Sequence, residues 1–294
     1  MPRLWNEELA ASGHFFLPGL VSLGLNMNTS TAIEFQNVWL FFDEKPALSN
    51  VSFTVERGET LILLGATGSG KSVILKLALG LLKADEGKVI VEDRDLGPIP
   101  EKEMREIRQR MGIVFQEGAL FDSLSVYENV AYRLREEGME EEAAIEARIR
   151  EVLSFVELEA AIDKMPSELS GGMKRRVSIA RAVVNDPAIM LYDSPTGGLD
   201  PVTSQTINLL ILKLRDVQGV SSIVVTHRLQ DAFWLAKFAY SKDTGGLIPI
   251  SENGLKGRKN AARFLVLREG SVYFHGTPKE VVSTQDSYLQ QFLR

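Results

Sequence analysis

The sequence contains no cysteine and only three histidines among its 294 residues. The absence of cysteine excludes disulfide bonds and thiolate metal sites, and it fits a reducing compartment such as the cytosol. Basic charge is not in excess either, because the formal net charge is −6 and the sequence pI is about 5.3. A protein-wide positive field for binding nucleic acid is therefore absent, and we expect no nucleic-acid partner.

Long hydrophobic runs are missing as well. The longest apolar stretch near the start, residues 14–25, contains Pro18 and is too short to span a bilayer. Two glutamates precede it where a signal peptide would carry basic residues. We interpret residues 1–30 as a poorly ordered N-terminal extension, with Met27 as an alternative start, and we predict no transmembrane segment. A role at a membrane would require another protein to hold this one there.

From residue 31 onwards the pattern alternates between strands and helices. The run ETLILLG, which ends at Gly65, is continuously apolar after its first two residues, as is typical of a buried parallel strand. Residues 71–82 after it have helical spacing. The charged run 135–155 also has apolar positions at helical spacing, so its charges indicate a solvated helix face. Those apolar positions are Ile145, Ile149, Val152 and Leu153. Alternating strands and helices predict an α/β fold in which helices cover a parallel sheet.

Residues 65–72, GATGSGKS, match the pattern G-x-x-x-x-G-K-[ST] between a predicted strand and a predicted helix. Glycines allow successive N–H groups to point at phosphate oxygens, and the helix start adds partial positive charge. The pattern assigns Lys71 to the β- and γ-phosphates of ATP and the Ser72 hydroxyl to Mg²⁺. The predicted nucleotide-binding positions of this loop are Gly65, Ala66, Thr67, Gly68, Ser69, Gly70, Lys71 and Ser72.

A second site element is the stretch IMLYDSPTGGLDP, residues 189–201. Its apolar run reads as a buried strand that ends at Asp193. This placement brings a carboxylate beside the phosphate loop, where it can hold Mg²⁺, usually through water.

The stretch ELSGGMKRR, residues 168–176, is a second helix start with free N–H groups. Together with the phosphate loop it makes the chain resemble the ATP-binding cassette (ABC) ATPases over residues 33–282. The resemblance implies an α/β P-loop NTPase fold with a RecA-like core, an antiparallel β-subdomain and a helical signature subdomain. In that family the signature, here including Ser170, Gly171 and Gly172, closes over ATP held by another subunit. Two chains then sandwich two ATP molecules.

The remaining family positions are also occupied. The resemblance implies that Gln116 contacts Mg²⁺ and the attacking water, that Asp200 contacts the opposite subunit, and that His227 senses the γ-phosphate. Phe42 stands where the family places an aromatic on adenine, although Phe41 and Trp39 are close in sequence. A core role for Phe42 is the alternative. The predicted metal ligands are Ser72, Gln116 and Asp193.

A single cassette without a membrane span is typical of a transporter subunit whose permease is a separate chain. Met173 and residues 116–137 are similar to the Mla/Mce-type lipid-transport ATPases. The resemblance implies a peripheral position on the cytoplasmic face of the inner or plasma membrane and a groove that receives the permease. The groove candidates are Phe121, Leu124, Val126 and Tyr127, with ordinary core packing as the alternative. The competing function is an importer ATPase for a small polar solute.

Ser194 departs from the family, which carries a water-polarising glutamate there. Serine cannot act as a base at neutral pH, and general-base assistance is worth roughly 10²–10⁴-fold in rate. Three interpretations remain. A homodimer hydrolyses ATP slowly while Gln116, His227 and the Ser194 hydroxyl orient water; this interpretation is preferred because the rest of the site is intact. Alternatively, the chain pairs with a glutamate-bearing cassette subunit, or it is an ATP-dependent clamp.

The predicted domain organisation follows from these segments. An ABC ATPase domain covers residues 31–282, and its helical subdomain covers about 117–172. Residues 241–262 are rich in glycine and polar residues, so we predict a flexible insertion there before a final strand pair. Residues 283–294 form a C-terminal tail.

Overall fold

The computed structural model describes residues 30–250 and 262–292. The predicted N-terminal extension therefore lies outside the described residues except for Ser30, and so does the last part of the predicted insertion. Within the described ranges, two cores of buried apolar side chains lie on the two faces of one central sheet.

The central sheet has six strands in the order β12-β11-β3-β8-β7-β6. All neighbouring pairs are parallel except β11 and β12, which are antiparallel. The predicted α/β architecture with a parallel sheet is thus confirmed. The strands are β3 Thr60–Gly65, β6 Met111–Val114, β7 Ile189–Asp193, β8 Ser221–Val225, β11 Ala262–Arg268 and β12 Ser271–Gly276.

Strand β3 shows why its sequence is continuously apolar. All six of its residues are buried. Ile62 and Leu64 face one core, which the helices build, whereas Leu61 and Leu63 face the other. Alternating side chains on a strand point to opposite faces, so a sheet covered on both faces needs apolar residues at every position.

The second core lies between this sheet and an antiparallel sheet in the order β2-β1-β4-β5. Its inner residues include Phe35 and Phe53, whose rings stack with centroids 4.5 Å apart. The four strands are β1 Thr31–Phe42, β2 Lys45–Glu56, β4 Glu86–Val91 and β5 Arg94–Asp95.

The helices follow the alternation predicted from the sequence. They are α1 Lys71–Ala78, α2 Glu101–Gln109, α3 Val126–Glu136, α4 Glu142–Phe155, α5 Gly171–Val183, α6 Pro201–Gln218, α7 Leu229–Lys237, α8 Pro278–Ser283 and α9 Ser287–Phe292. In α4, the four apolar positions predicted for the core face are all buried, so the solvated charged face is confirmed. None of the helices in the described ranges combines the length and hydropathy needed to cross a bilayer.

The segment predicted as a flexible insertion begins with regular structure. β9 Phe238–Ser241 and β10 Gly246–Pro249 form an antiparallel hairpin. The hairpin is fixed to α6, because the Tyr240 N–H donates to Asp216 Oδ2 at 2.7 Å. The sequence analysis missed this strand pair because the partner carboxylate lies 24 residues earlier in the chain.

One buried asparagine shapes the loop before α3. The Asn129 amide nitrogen donates to the carbonyl oxygens of Phe121, Leu124 and Ser125 at 3.1, 2.9 and 3.0 Å. Its side-chain oxygen accepts from the Phe121 N–H at 2.8 Å. Asn129 itself is fully buried. Four hydrogen bonds from one buried side chain therefore hold the loop 121–125, together with the Glu128 carboxylate, which accepts from the Ser125 N–H at 2.8 Å.

We expect Asn129→Ala to lower the free energy of unfolding by about 2–3 kcal/mol, because it removes four side-chain hydrogen bonds and leaves the Leu124 carbonyl and the Phe121 N–H without these partners. Urea denaturation measures the change. Arg150→Ala is the matched control, since it removes only an exposed pair with Glu146 and should cost about 0.5 kcal/mol or less. Equal losses in the two variants would contradict this role of Asn129.

Candidate functional site

The loop between β3 and α1 has the backbone of an anion cradle. Gly65, Gly68 and Gly70 have positive φ angles of 153°, 80° and 100°. Glycine reaches this region without a Cβ clash, which explains its recurrence. The Ser69 hydroxyl is buried and has no hydrogen-bond partner among the described residues. A buried unpaired donor in a loop of this shape fits a phosphate oxygen.

Lys71 is held inside this loop. Its Nζ donates to the carbonyl oxygens of Gly65 and Ala66 at 3.0 and 2.7 Å, and the side chain is buried. Burial lowers the pKa of the Lys71 ammonium, and the nearby Asp193 carboxylate opposes that shift. The cation thus lies over the loop with only carbonyls as ligands, and a phosphate anion is a stronger partner for it.

Ser72 and Asp193 meet directly across the sheet edge. The Ser72 hydroxyl donates to Asp193 Oδ2 at 3.0 Å. Two adjacent ligand oxygens of an octahedral Mg²⁺ with bonds of about 2.1 Å lie about 3 Å apart, so this pair fits Mg²⁺. No group of three or more histidine, aspartate and glutamate side chains in the described ranges could cage a metal. The fit is therefore to an ion shared with substrate phosphates, as is usual for Mg²⁺.

The parallel register brings the other predicted residues to the same edge. Asp193 and Leu63 both pair with Val225, so β7 and β8 end at the level of Leu63, just before β3 ends at Gly65. Gln116 and His227 each lie two residues beyond the end of a strand.

His227 lies within electrostatic reach of the phosphate loop. Burial lowers the pKa of the imidazole, the positive charge of Lys71 lowers it further, and Asp193 raises it. The imidazole is therefore neutral at pH 7 and can exchange one hydrogen bond through each nitrogen. That is the state needed to contact a phosphate oxygen without adding a full charge.

Ser194 occupies a tight turn after Asp193. Its φ is 49°, in the left-handed region, and its side chain is only 5% exposed. Its N–H donates to the Val225 carbonyl at 2.9 Å, and its carbonyl accepts from the Gly197 N–H at 2.9 Å. A Cβ atom on Gly197 would lie 3.5 Å from both Ser194 Cβ and Gln116 Cγ. The Ser194 and Gln116 side chains thus both flank Gly197, and neither is a base.

The signature residues begin helix α5 and divide into two groups. The Ser170 hydroxyl accepts from the Met173 N–H at 3.3 Å and caps the helix. Ser170 and Gly171 are exposed, but Gly172 is buried against α6. A Cβ on Gly172 would lie 2.3 Å from Thr203 Cγ2. Gly172 is therefore required for helix packing, while Ser170 and Gly171 present the helix start to solvent.

Asp200 caps helix α6 in this chain. Its Oδ1 accepts from the Val202 and Thr203 N–H groups at 3.0 Å each, and Oδ2 accepts from the Thr203 hydroxyl. The Thr203 hydroxyl and backbone bonds lower the pKa of this carboxyl group. The predicted contact of Asp200 with an opposite subunit is not visible in one chain and stays a prediction.

The candidate adenine platform lies at the end of the β1–β2 hairpin. Phe42 is 49% exposed and more exposed than Phe41, whose ring stacks on Trp39 with centroids 6.1 Å apart. The hairpin also touches the phosphate loop, because a Cβ on Gly70 would lie 2.7 Å from Leu48 Cδ2. Phe42 is thus not a core residue, and it lies on the strand pair that borders the loop.

Residues 115–118 form the loop that contains Gln116, the Gln116 loop. The sequence analysis missed the side chains that hold this loop. Arg175 Nη1 donates to the Phe115 carbonyl, and the Ser178 hydroxyl donates to the Gly118 carbonyl at 2.6 Å. Arg181 Nη2 reaches the same Gly118 carbonyl at 3.2 Å. In the sequence these three residues showed only the helical spacing that follows the signature. The pattern could not indicate that they bind a loop about 60 residues earlier.

The prediction that Val126 lines the permease groove is wrong. Val126 is fully buried because it begins α3 and joins the helical core. Leu124 and Tyr127 are half-buried, whereas Phe121 is 42% exposed. The Phe121 ring packs on Tyr132 with centroids 4.9 Å apart. The exposed aromatic surface in this region is therefore formed by Phe121 and Tyr132.

Comparisons with known proteins agree with this geometry. Residues 48–197 match the family model described as ABC transporter. The chain is 31% identical to the intermembrane phospholipid transport system ATP-binding protein MlaF of Haemophilus influenzae, over 89% of this chain and 90% of that protein. It is 34% identical to the sulfate/thiosulfate import ATP-binding protein CysA 2 of Agrobacterium fabrum, over 89% of this chain and 68% of that protein.

A solved structure has the same architecture. The dimeric post-hydrolysis state of the ATP-binding cassette MJ0796, bound to ADP and Pi, superposes with a TM-score of 0.69 at 30% identity. The match covers 83% of this chain and 98% of that chain.

Alanine substitutions at the glycines of the phosphate loop distinguish two free-energy costs. One cost is a clash of the new Cβ atom, and the other is a side chain at a positive φ angle. At Gly68 a Cβ meets no atom within 4 Å, whereas at Gly65 it would lie 2.6 Å from the Leu267 carbonyl oxygen. At Gly70 it would lie 3.0 Å from the Ala47 carbonyl oxygen. We expect Gly68→Ala to cost about 1–2 kcal/mol from its left-handed φ. Gly65→Ala and Gly70→Ala should each cost about 1–3 kcal/mol more, because the neighbouring backbone must shift.

Thermal unfolding with and without ATP measures the order of stability losses among the three variants. Gly68→Ala, which also places a side chain at a positive φ but meets no clash, is the control for the other two. An equal loss in all three variants would contradict the steric explanation.

Proposed function

Since the chain belongs to the ABC transporter ATP-binding family, we propose that it is the subunit of a lipid transporter that hydrolyses ATP and energises a separate membrane permease. The family membership confirms the predicted fold class and ATPase activity. The observation that carries the lipid proposal is the nearly end-to-end match to the phospholipid-transport protein MlaF. Met173 and residues 116–137, already similar to lipid-transport ATPases by sequence, support the same substrate class.

The proposed nucleotide contacts follow from the free donors of the loop. The backbone N–H groups at the start of α1 and the unpaired Ser69 hydroxyl bind phosphate oxygens. The Lys71 ammonium exchanges its two carbonyl ligands for the β- and γ-phosphates. Phe42 supplies an exposed ring for the adenine.

Mg²⁺, when bound, would neutralise charge that develops during phosphoryl transfer. Ser72 and Asp193 are the side chains that would hold it, and Gln116 is the third proposed ligand. Their hydroxyl, carboxylate and amide oxygens are the hard ligands that suit this ion. The hydrogen bond between Ser72 and Asp193 keeps two of these oxygens together before the ion arrives.

Hydrolysis at this site depends on positioning. Gln116 and Ser194 flank Gly197, and a neutral His227 lies within electrostatic reach of Lys71. These groups can orient a water molecule and stabilise the γ-phosphate, and such effects dominate phosphoryl transfer. The Ser194 hydroxyl can hold the water by a hydrogen bond but cannot remove its proton at neutral pH. We therefore propose a slow ATPase with intact nucleotide binding.

A second subunit is proposed to complete each site. Ser170 and Gly171 present an exposed helix start, which suits a γ-phosphate held by another chain. The dimeric structures of MJ0796 support this arrangement. A homodimer is the preferred assembly because every other site residue is present. A heterodimer with a glutamate-bearing cassette, or a clamp that cycles mainly by binding, is the alternative.

The permease contact is proposed to include Phe121 and Tyr132. Both rings are exposed, and Arg181 lies 5.6 Å from the Phe121 ring. A helix from an integral-membrane subunit could cover these rings. Such a contact would place the chain on the cytoplasmic face of the membrane.

The alternative substrate class is a small polar solute. The match to the sulfate/thiosulfate importer subunit CysA 2 favours it, at 34% identity over 89% of this chain. Purification of the complete transporter and mass spectrometry of its bound molecules distinguish the two. Co-purified phospholipid that stimulates ATPase activity in liposomes supports the lipid proposal. A transporter stimulated only by a polar solute would overturn it.

We expect Ser194→Glu to raise the steady-state ATPase rate by roughly 10²–10⁴-fold, because it supplies the missing base. Phosphate release measures the rate. Ser194→Gln is the control, since glutamine has the same size and no basic oxygen of comparable strength; it should show no gain. The slow-site proposal is wrong if the native rate is already ordinary and glutamate adds nothing.

We expect Phe121→Glu to abolish co-purification of the permease subunits while ATP affinity stays within about threefold, because it places a charge on an apolar contact. Affinity chromatography from detergent extracts provides the measurement. Leu247→Glu is the matched control, as Leu247 is a similarly exposed apolar residue on the β9–β10 hairpin. Retention of the permease by Phe121→Glu would remove this surface from the proposal.

A further inference from the structure

Arg228 closes the turn that connects Ser194 to Asp200. Its Nη1 donates to the carbonyl oxygens of Thr196 and Leu199 at 3.2 and 3.1 Å. Both carbonyls belong to the turn. The same nitrogen donates to the Ser204 hydroxyl at 2.6 Å, one helical turn after Asp200. The guanidinium therefore takes the place of a regular backbone ladder in this segment.

A buried carboxylate fixes the position of this guanidinium. Asp231 Oδ2 lies 3.2 Å from Arg228 Nε and also accepts from the Thr196 hydroxyl at 2.6 Å. Its Oδ1 accepts from the Asn208 amide at 3.0 Å. Thr196 and Asn208 are almost completely buried, and Asp231 is only 7% exposed. A buried carboxylate with several fixed partners orients the arginine strongly.

The joined segments carry three proposed site residues. Ser194 begins the turn, Asp200 ends it, and His227 directly precedes Arg228. The turn also touches the signature helix, because a Cβ on Gly171 would lie 3.5 Å from Leu199 Cδ2. One side chain thus lies where the water position, the subunit contact and the γ-phosphate sensor meet.

We propose that Arg228 is a positioning residue that makes Ser194, Asp200 and His227 move as one unit. The inference rests on the roles proposed above for these three residues. An arginine is required because its planar fork directs Nε to the carboxylate and Nη1 to the two carbonyls at once. A lysine has one nitrogen and cannot bind both sets. The phosphate loop has no part in this network, so ATP affinity does not depend on it.

Single-turnover hydrolysis, with protein in excess over Mg-ATP, tests the proposal even when native turnover is slow. The variants are Arg228→Met and Arg228→Lys. The matched control is Arg148→Met, because Arg148 also joins two backbone carbonyls, of Val183 and Val184, to carboxylates outside the site. The measurements are the hydrolysis rate constant, the ATP Kd, the melting temperature and the light scattering of the ATP-induced dimer.

We expect Arg228→Met to lower the rate constant at least tenfold and to raise the ATP concentration needed for dimerisation, with the ATP Kd within threefold. Arg228→Lys should recover part of the rate. Arg148→Met should shift the melting temperature at least as much and keep the rate within twofold. A rate constant for Arg228→Met within twofold of the unmodified chain, or an equal loss of rate in Arg148→Met, overturns this inference. Neither result affects the proposed function. If the unmodified chain binds no Mg-ATP, the proposed function fails and this inference fails with it.

Discussion

The parallel pairing of β8 between β3 and β7 is the constraint on which the site depends. Because Leu63 and Asp193 both pair with Val225, the phosphate loop, the carboxylate and the segment with His227 start from one edge. A shift of one residue in the pairing of β7 with β8 would turn Asp193 to the other face of the sheet. The hydrogen bond between Ser72 and Asp193 is a direct result of this register. The fully buried strand β3 makes a shift costly.

Beyond the sheet edge, the backbone is irregular, and side chains replace the ladder. Arg228 binds two carbonyls of the 194–200 turn, and Arg175 binds one in the Gln116 loop. Asn129 does the same for the loop before α3. Buried backbone groups need partners, so each irregular loop of the site has its own polar side chain. Side-chain hydrogen bonds, rather than the hydrogen-bond ladder of the sheet, therefore order these loops. Such an arrangement suits segments that are proposed to respond to nucleotide.

At Ser194 the backbone and the side chain have separate proposed roles. Its backbone is bound on both sides, to Val225 and Gly197, so the turn geometry does not depend on the side chain. The proposal of intact nucleotide binding with slow hydrolysis relies on this separation between backbone geometry and side-chain chemistry.

The sequence by itself determined the strand and helix alternation, the phosphate-loop motif, the aspartate at the end of β7 and the family. These features are local, because a glycine-rich loop or an apolar run has one dominant structural solution. Only the tertiary structure decided that Val126 is buried, that Gly246–Pro249 is a strand, and which carbonyls Arg175 and Arg228 bind. The partners of these residues lie about 24 to 60 positions away in the chain or depend on how the helices pack. A residue type states which bonds a side chain can make, whereas the fold decides which partner is within about 3 Å.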